Sequence, residues 1–159
     1  GGEMGQVVQG AAVLFPEEGV RYLPGPALDF GYRHSLLSDH PDAVVLHAVF
    51  RLVPGDQAAI RDRMRELMEK RKASQPLEYP SAGSTFKRPA GHYAGTLIDQ
   101  CGLKGLTVGG APVSEKHAGF VLNRGGATRA DVVELIRQIQ ARVLDAAGVR
   151  LEPEVKIID

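Results

Sequence analysis

The sequence has one cysteine, no tryptophan and no net charge, its 19 Lys and Arg residues balancing 19 Asp and Glu. A single cysteine excludes an intrachain disulfide. Cys101 also lacks metal-ligand partners at useful spacing, so it reads as a small, partly buried apolar residue. Balanced charge gives no global attraction to phosphate backbones or anionic lipid, which argues against nucleic-acid and membrane-surface roles. No apolar run approaches the roughly 20 residues that span a bilayer. The opening Gly1-Gly2-Glu3-Met4-Gly5 has no initiator methionine and lacks the basic-then-apolar order of a signal peptide. It reads as the middle of a gene product, and a reducing cytoplasm is the expected location.

What is present is the composition of an ordinary globular protein: 159 residues, 43% hydrophobic and 24% charged, enough for one domain or two small ones. Residues 7–14 (VVQGAAVL) and 20–23 flank a Pro-Glu-Glu-Gly turn signal, so 7–23 is expected to be a hairpin. Residues 24–42 look irregular. Residues 43–53 (AVVLHAVFRLV) predict a strand buried on much of both faces. Asp56 is placed to cap a helix over 57–73, whose Ile60, Met64, Leu67 and Met68 recur at helical spacing. The stretch 74–93 is rich in Ser, Pro and Gly and reads as loop.

Leu97 and Ile98 suggest a short helix ending near Gly102, and residues 118–123 suggest a strand. Thr128 and Asp131 form a capping box ahead of the stripe Val132, Leu135, Ile136, Ile139, Val143 and Leu144, with Gly148 at the helix end. Residues 149–158 alternate as a strand would, with Glu152 and Glu154 on the same face. Strands and helices mix without strict βαβ order, so the expected class is α+β.

Four stretches carry a more specific signal. They are Phe30-Gly31-Tyr32-Arg33-His34-Ser35; Gln75-Pro76 leading into Pro80-Ser81-Ala82-Gly83-Ser84-Thr85-Phe86-Lys87-Arg88-Pro89; Ala94-Gly95 through Gly109-Gly110-Ala111-Pro112-Val113-Ser114-Glu115-Lys116-His117-Ala118-Gly119-Phe120; and Leu151-Glu152-Pro153-Glu154-Val155-Lys156-Ile157-Ile158. In this order, over most of the chain, they resemble the signature blocks of the UDP-N-acetylenolpyruvoylglucosamine reductase family in its shorter, type II form.

The resemblance implies the end of a vanillyl-alcohol-oxidase-type FAD-binding region over residues 1–76. A smaller α/β substrate domain would follow over 77–159, its last strand, 149–159, packing back on the flavin region. It also implies FAD and NADPH as cofactors, and UDP-N-acetylglucosamine enolpyruvate as the substrate reduced to UDP-N-acetylmuramate for peptidoglycan. The family's N-terminal phosphate-cradling segment has no counterpart here. Neither Gly109-Gly110 nor Gly125-Gly126 sits in a dinucleotide-binding pattern. A missing N-terminal FAD-binding segment is therefore an expected partner. The alternative is an isolated sugar-nucleotide-binding module without flavin.

The family reaction delivers hydride to an enol ether conjugated to a carboxylate. It therefore needs a cation at the developing enolate and a positioned proton donor. By resemblance Ser84 is the donor, Arg33 stabilises the carboxylate, and Glu154 polarises the carboxyl group or relays a proton. Periodicity alone does not separate Glu154 from Glu152. Taken without the motif, Ser84 reads as a turn residue, Arg33 as a solvated or ion-paired cation, and both glutamates as exposed strand residues. Lys87, Arg88, Arg71 and His117 are implied as substrate-binding, with Tyr93 a lesser candidate. Arg71 equally fits a solvated helix end, and His117 a structural histidine. Gly2, Arg33 and Gly83 are implied as cofactor contacts, glycine at 83 letting backbone approach a ligand closely.

Overall fold

The computed structural model describes residues 2–158. The chain divides into two compact units, Gly1–Ala59 and Ile60–Asp159. In the first, β1 (Val8–Phe15) pairs antiparallel with β2 (Gly19–Pro24) and with β3 (Val44–Phe50), in the order β2-β1-β3. The hairpin forms as expected, in a register running from Gly10 opposite Pro24 to Phe15 opposite Gly19. Ala11, Val13, Phe15, Leu23 and Leu28 make the small core, with Leu36 and Leu37 packed against it.

The reading of β3 as a strand buried on both faces is corrected. Every β3 residue is exposed, including Val44, Leu46 and Phe50. Continuous β-branched and apolar character reports that a strand is meant to be covered. It cannot report whether the described residues supply the cover, and the buried cluster of this unit gathers on β1 and β2 instead.

The helix α1 (Gln57–Ser74) is capped as read, with Ala59 N–H donating to Asp56 Oδ1 at 2.8 Å. Its apolar stripe is not buried: Ile60, Met64, Leu67 and Met68 are all exposed. The helix forms as expected, and the described residues leave its apolar stripe uncovered. Its polar flanks carry Arg63–Glu66 and Lys70–Glu66 pairs, which hold the Glu66 carboxyl near pKa 2 through the Lys70 hydrogen bond first and Arg63 next.

The second unit is built around α3 (Arg129–Ala147). Thr128 Oγ1 accepts from Asp131 N–H and the Asp131 carboxylate accepts from Thr128 N–H, so both halves of the capping box are made. Gly148 ends the helix at φ +67°, the left-handed conformation that a Cβ penalises. Leu135, Ile136, Ile139 and Val143 face inward, whereas Leu144 lies outside the stripe and is half exposed. α3 packs on α2 (Ala94–Gln100) and on a two-residue ladder, β5 (Thr107–Val108) with β6 (Ala111–Pro112). Phe86, Leu97, Ile98, Val113 and Leu151 complete this core, and Cys101 is packed at its edge as expected.

Two further readings are corrected. The loop expected over 74–93 contains a strand, β4 (Ser81–Ser84), paired with β7 (Phe120–Leu122). Ser-Ala-Gly-Ser has little strand propensity, so its pairing comes from β7 and not from local preference. Conversely, residues 149–158 form no strand. Their ladder is a single bridge, Pro153 opposite Phe86, flanked by the Lys87 N–H to Glu152 O and Glu154 N–H to Thr85 O bonds. Helices on strands of mixed length and local pairing make the fold α+β.

Candidate active site

The segment 83–88 lies between two partners. On one side Ser84 pairs with Phe120, and Thr85 N–H donates to Gly119 O at 2.8 Å. On the other, Glu154 N–H donates to Thr85 O and Lys87 N–H donates to Glu152 O, both at 2.8 Å. Ser84 and Glu154 are thus held on adjacent backbone, joined through Thr85. Thr85 is buried, at 3% exposure, and its Oγ1 accepts from Val121 N–H. Nothing in the sequence pattern marks Thr85 for this role.

Gly83 sits at φ +82°, and a Cβ built there would meet no atom within 4 Å. The backbone beside Ser84 is therefore open on that side. Ser84 itself is exposed, and its hydroxyl makes no hydrogen bond to any of the described residues. It is available to a ligand and contributes little to the fold.

Cations flank this segment. Lys87 is half-buried and its Nζ bonds the exposed Glu152 carboxylate, and Glu154 is half-buried beside Thr85. The Arg88 guanidinium lies 4.0 Å from the Tyr93 ring centroid, and Arg88 Nε–H donates to His92 O. His117 is half-buried. Its Nδ1 accepts from Gly119 N–H at 3.1 Å, its ring meets Phe120 edge-on at 5.0 Å, and it crowds Gly95. The acceptor at Nδ1 places the neutral ring's proton on Nε2. Arg71 ends α1, with its Nε–H donating to Gln75 Oε1 at 3.0 Å.

Gly83, Ser84, Lys87, Arg88 and Glu154 are therefore neighbours along two backbone runs, and His117 adjoins the strand that pairs with Ser84. Arg33 and Gly2 belong to the first unit. Arg33 occupies a tight turn in which Gly31 and His34 exchange backbone hydrogen bonds, and it is held there at φ +55° with its guanidinium 5.5 Å from the Tyr32 ring centroid. Left-handed backbone at a side-chain-bearing residue costs on the order of 1–3 kcal/mol. At Gly2 a Cβ would meet only the Gln6 side-chain oxygen.

A separate groove of about 520 Å³ opens beside β4, lined by Ala82, Thr85, Val121, Val132, Ile136 and Ile157 among others. Its walls are mainly apolar and include neither Ser84 nor Glu154. Among the described residues no group of three or more His, Cys, Asp or Glu is placed to hold a metal ion, and no helix is long and apolar enough to cross a membrane.

Residues 75–158 match the C-terminal domain of UDP-N-acetylenolpyruvoylglucosamine reductase. The match covers both runs that meet at Thr85, and the chain belongs to this family. Among its relatives are the UDP-N-acetylenolpyruvoylglucosamine reductases of Levilactobacillus brevis, 55% identical over 158 residues, and Pediococcus pentosaceus, 53% identical over 157. Each alignment covers 99% of this chain and 52% of the relative. A crystal structure of the enzyme from Thermus caldophilus is similar with a TM-score of 0.82 and 38% identity, over 98% of this chain and 54% of that one. The chain spans about half the length of the relatives it matches.

Proposed function

We propose that the chain is the substrate-binding part of a flavin reductase that converts UDP-N-acetylglucosamine enolpyruvate to UDP-N-acetylmuramate with NADPH, in peptidoglycan precursor synthesis. In this reading residues 1–76 close the FAD-binding region and 77–159 form the substrate domain. The observation that carries it is the unpartnered Ser84 hydroxyl held one residue from the Thr85–Glu154 backbone bond, in a chain of this family.

The open face at Gly83, with no atom within 4 Å of where a Cβ would sit, fits the close approach of a flat ligand to backbone. Gly83, with Arg33 and Gly2 from the first unit, would help hold FAD, which when bound supplies the hydride chemistry. The exposed β3 face fits a further flavin-binding segment as the partner that covers it.

Ser84 holds the proton that the substrate's α-carbon needs. A serine hydroxyl is a weak acid, so it serves only a strongly basic centre that forms in the transition state. Arg33 offers a planar fork of donors to the substrate carboxylate, and the positive φ at this residue supports a role beyond the fold. Glu154 polarises the carboxyl group or relays the proton. Lys87 and Arg88 bind the diphosphate, with Arg71 and His117 completing the substrate contacts. Lys87 exchanges its Glu152 partner for phosphate oxygens, which balances one charge-assisted bond against another.

The test is NADPH oxidation by the full-length polypeptide carrying these residues, with and without UDP-N-acetylglucosamine enolpyruvate. A yellow protein whose NADPH consumption requires that substrate is the expected result. A colourless protein that still binds the UDP sugar would replace the reductase reading with that of a sugar-nucleotide-binding module.

A further inference from the structure

We propose that Lys116 is a positioning residue that aims Arg71 at the substrate, an inference that rests on the substrate-binding role proposed above for Arg71. The last carbonyls of a helix have no partner within it, and they carry the negative end of its dipole. In α1 one of them, Lys72 O, accepts from Lys116 Nζ at 2.6 Å, across 44 residues of sequence. The ammonium thus caps the turn that carries Arg71. A carboxylate oxygen of Glu78 lies 3.9 Å from the same nitrogen and adds to its restraint.

Three features make this contact a built one. First, α1 buries none of its residues, so its direction depends on how its C-terminal end is held. Second, the loop carrying Lys116 is anchored from inside. Ser114, at 1% exposure, accepts from both Lys116 N–H and His117 N–H through its hydroxyl. Third, Arg71 is clasped by Gln75, whose N–H donates to Arg71 O at 2.8 Å while its side chain accepts from Arg71 Nε–H. The next residue, Pro76, is buried. A line of contacts therefore runs from the buried Ser114 hydroxyl through Lys116 and the end of α1 to the Arg71 guanidinium. The same loop carries His117, so one segment sets two of the proposed substrate contacts.

Removing the ammonium leaves Arg71 in place chemically but frees the turn that directs it. A contact that holds substrate equally in ground and transition states changes KM and not kcat. In the full-length enzyme, K116M is expected to raise KM for the UDP sugar roughly fivefold with kcat unchanged, the size of a helix-end cation or one charge-assisted contact. K116R, which can still donate to Lys72 O, is expected to restore most of the loss.

The double variant K116M/R71A should bind no worse than R71A alone, because one residue acts through the other. Unchanged KM in K116M, or losses that multiply in the double variant, would overturn the positioning role while leaving the Arg71 assignment intact. R71A with an unchanged KM would instead remove the assigned target, a failure of the earlier reading that is distinguishable from the first.

Discussion

Replacing Ser84 with alanine separates chemistry from folding, because the structure gives the hydroxyl no structural task. Ser84 is exposed and its Oγ has no hydrogen-bond partner among the described residues. Its backbone pairing with Phe120 does not depend on the side chain. Surface substitutions of this kind move stability by no more than about 0.5 kcal/mol. If the hydroxyl delivers the proton to the substrate's α-carbon, its loss removes a general acid, worth about 10²- to 10⁴-fold in rate.

The assay is rapid mixing of full-length S84A, following flavin absorbance in two halves. Bleaching by NADPH should proceed at the parental rate, whereas recovery of colour on adding UDP-N-acetylglucosamine enolpyruvate should slow by at least about 100-fold. Chemical denaturation run alongside should give the parental midpoint. Colour recovery at the parental rate in a folded variant would remove Ser84 from the donor role. A lowered midpoint would show that the hydroxyl supports the fold after all.

Three other expectations concern stability. Ile139 is fully buried in the α3 core, so I139A should destabilise the second unit by about 2–5 kcal/mol in urea unfolding; a cost below 1 kcal/mol would mean that α3 does not seat as described. Thr128→Ala loses the Asp131 N–H acceptor and should cost about 1 kcal/mol, with T128S recovering most of it. Acid should weaken the fold through depressed carboxylates. Glu134 is lowered from the usual 4.5 to about 2 by its hydrogen bond from Arg137 and then from Gln138, and Asp131 is lowered by the Thr128 backbone N–H first. Groups with depressed folded pKa values stabilise above their unfolded values, and that stability is lost as they protonate. Stability should fall as pH drops from about 4.5 toward 2, and E134Q should flatten the fall; an identical pH profile in E134Q would refute the assignment.

The sequence by itself determined what short-range physics can encode. The Thr128–Asp131 box, the Gly148 stop and the spacing of Leu135, Ile136, Ile139 and Val143 specify α3 within one stretch of chain, and the structure follows them. The Pro16–Gly19 turn likewise sets the hairpin register. The motif blocks identified the family without any coordinates.

Tertiary structure decided the rest, because its causes lie far apart in the chain. Ser81–Ser84 is a strand only because Phe120–Leu122 offers hydrogen bonds to residues that do not favour extension. The alternation of residues 149–158 suggested another strand, yet it makes one bridge, Pro153 opposite Phe86, and Glu152 finds its Lys87 partner 65 residues away. The Thr85 hydroxyl that satisfies Val121, 36 residues away, has no local signature. Periodicity shows that β3 and α1 have faces to cover; only three-dimensional packing reveals that the described residues leave those faces open.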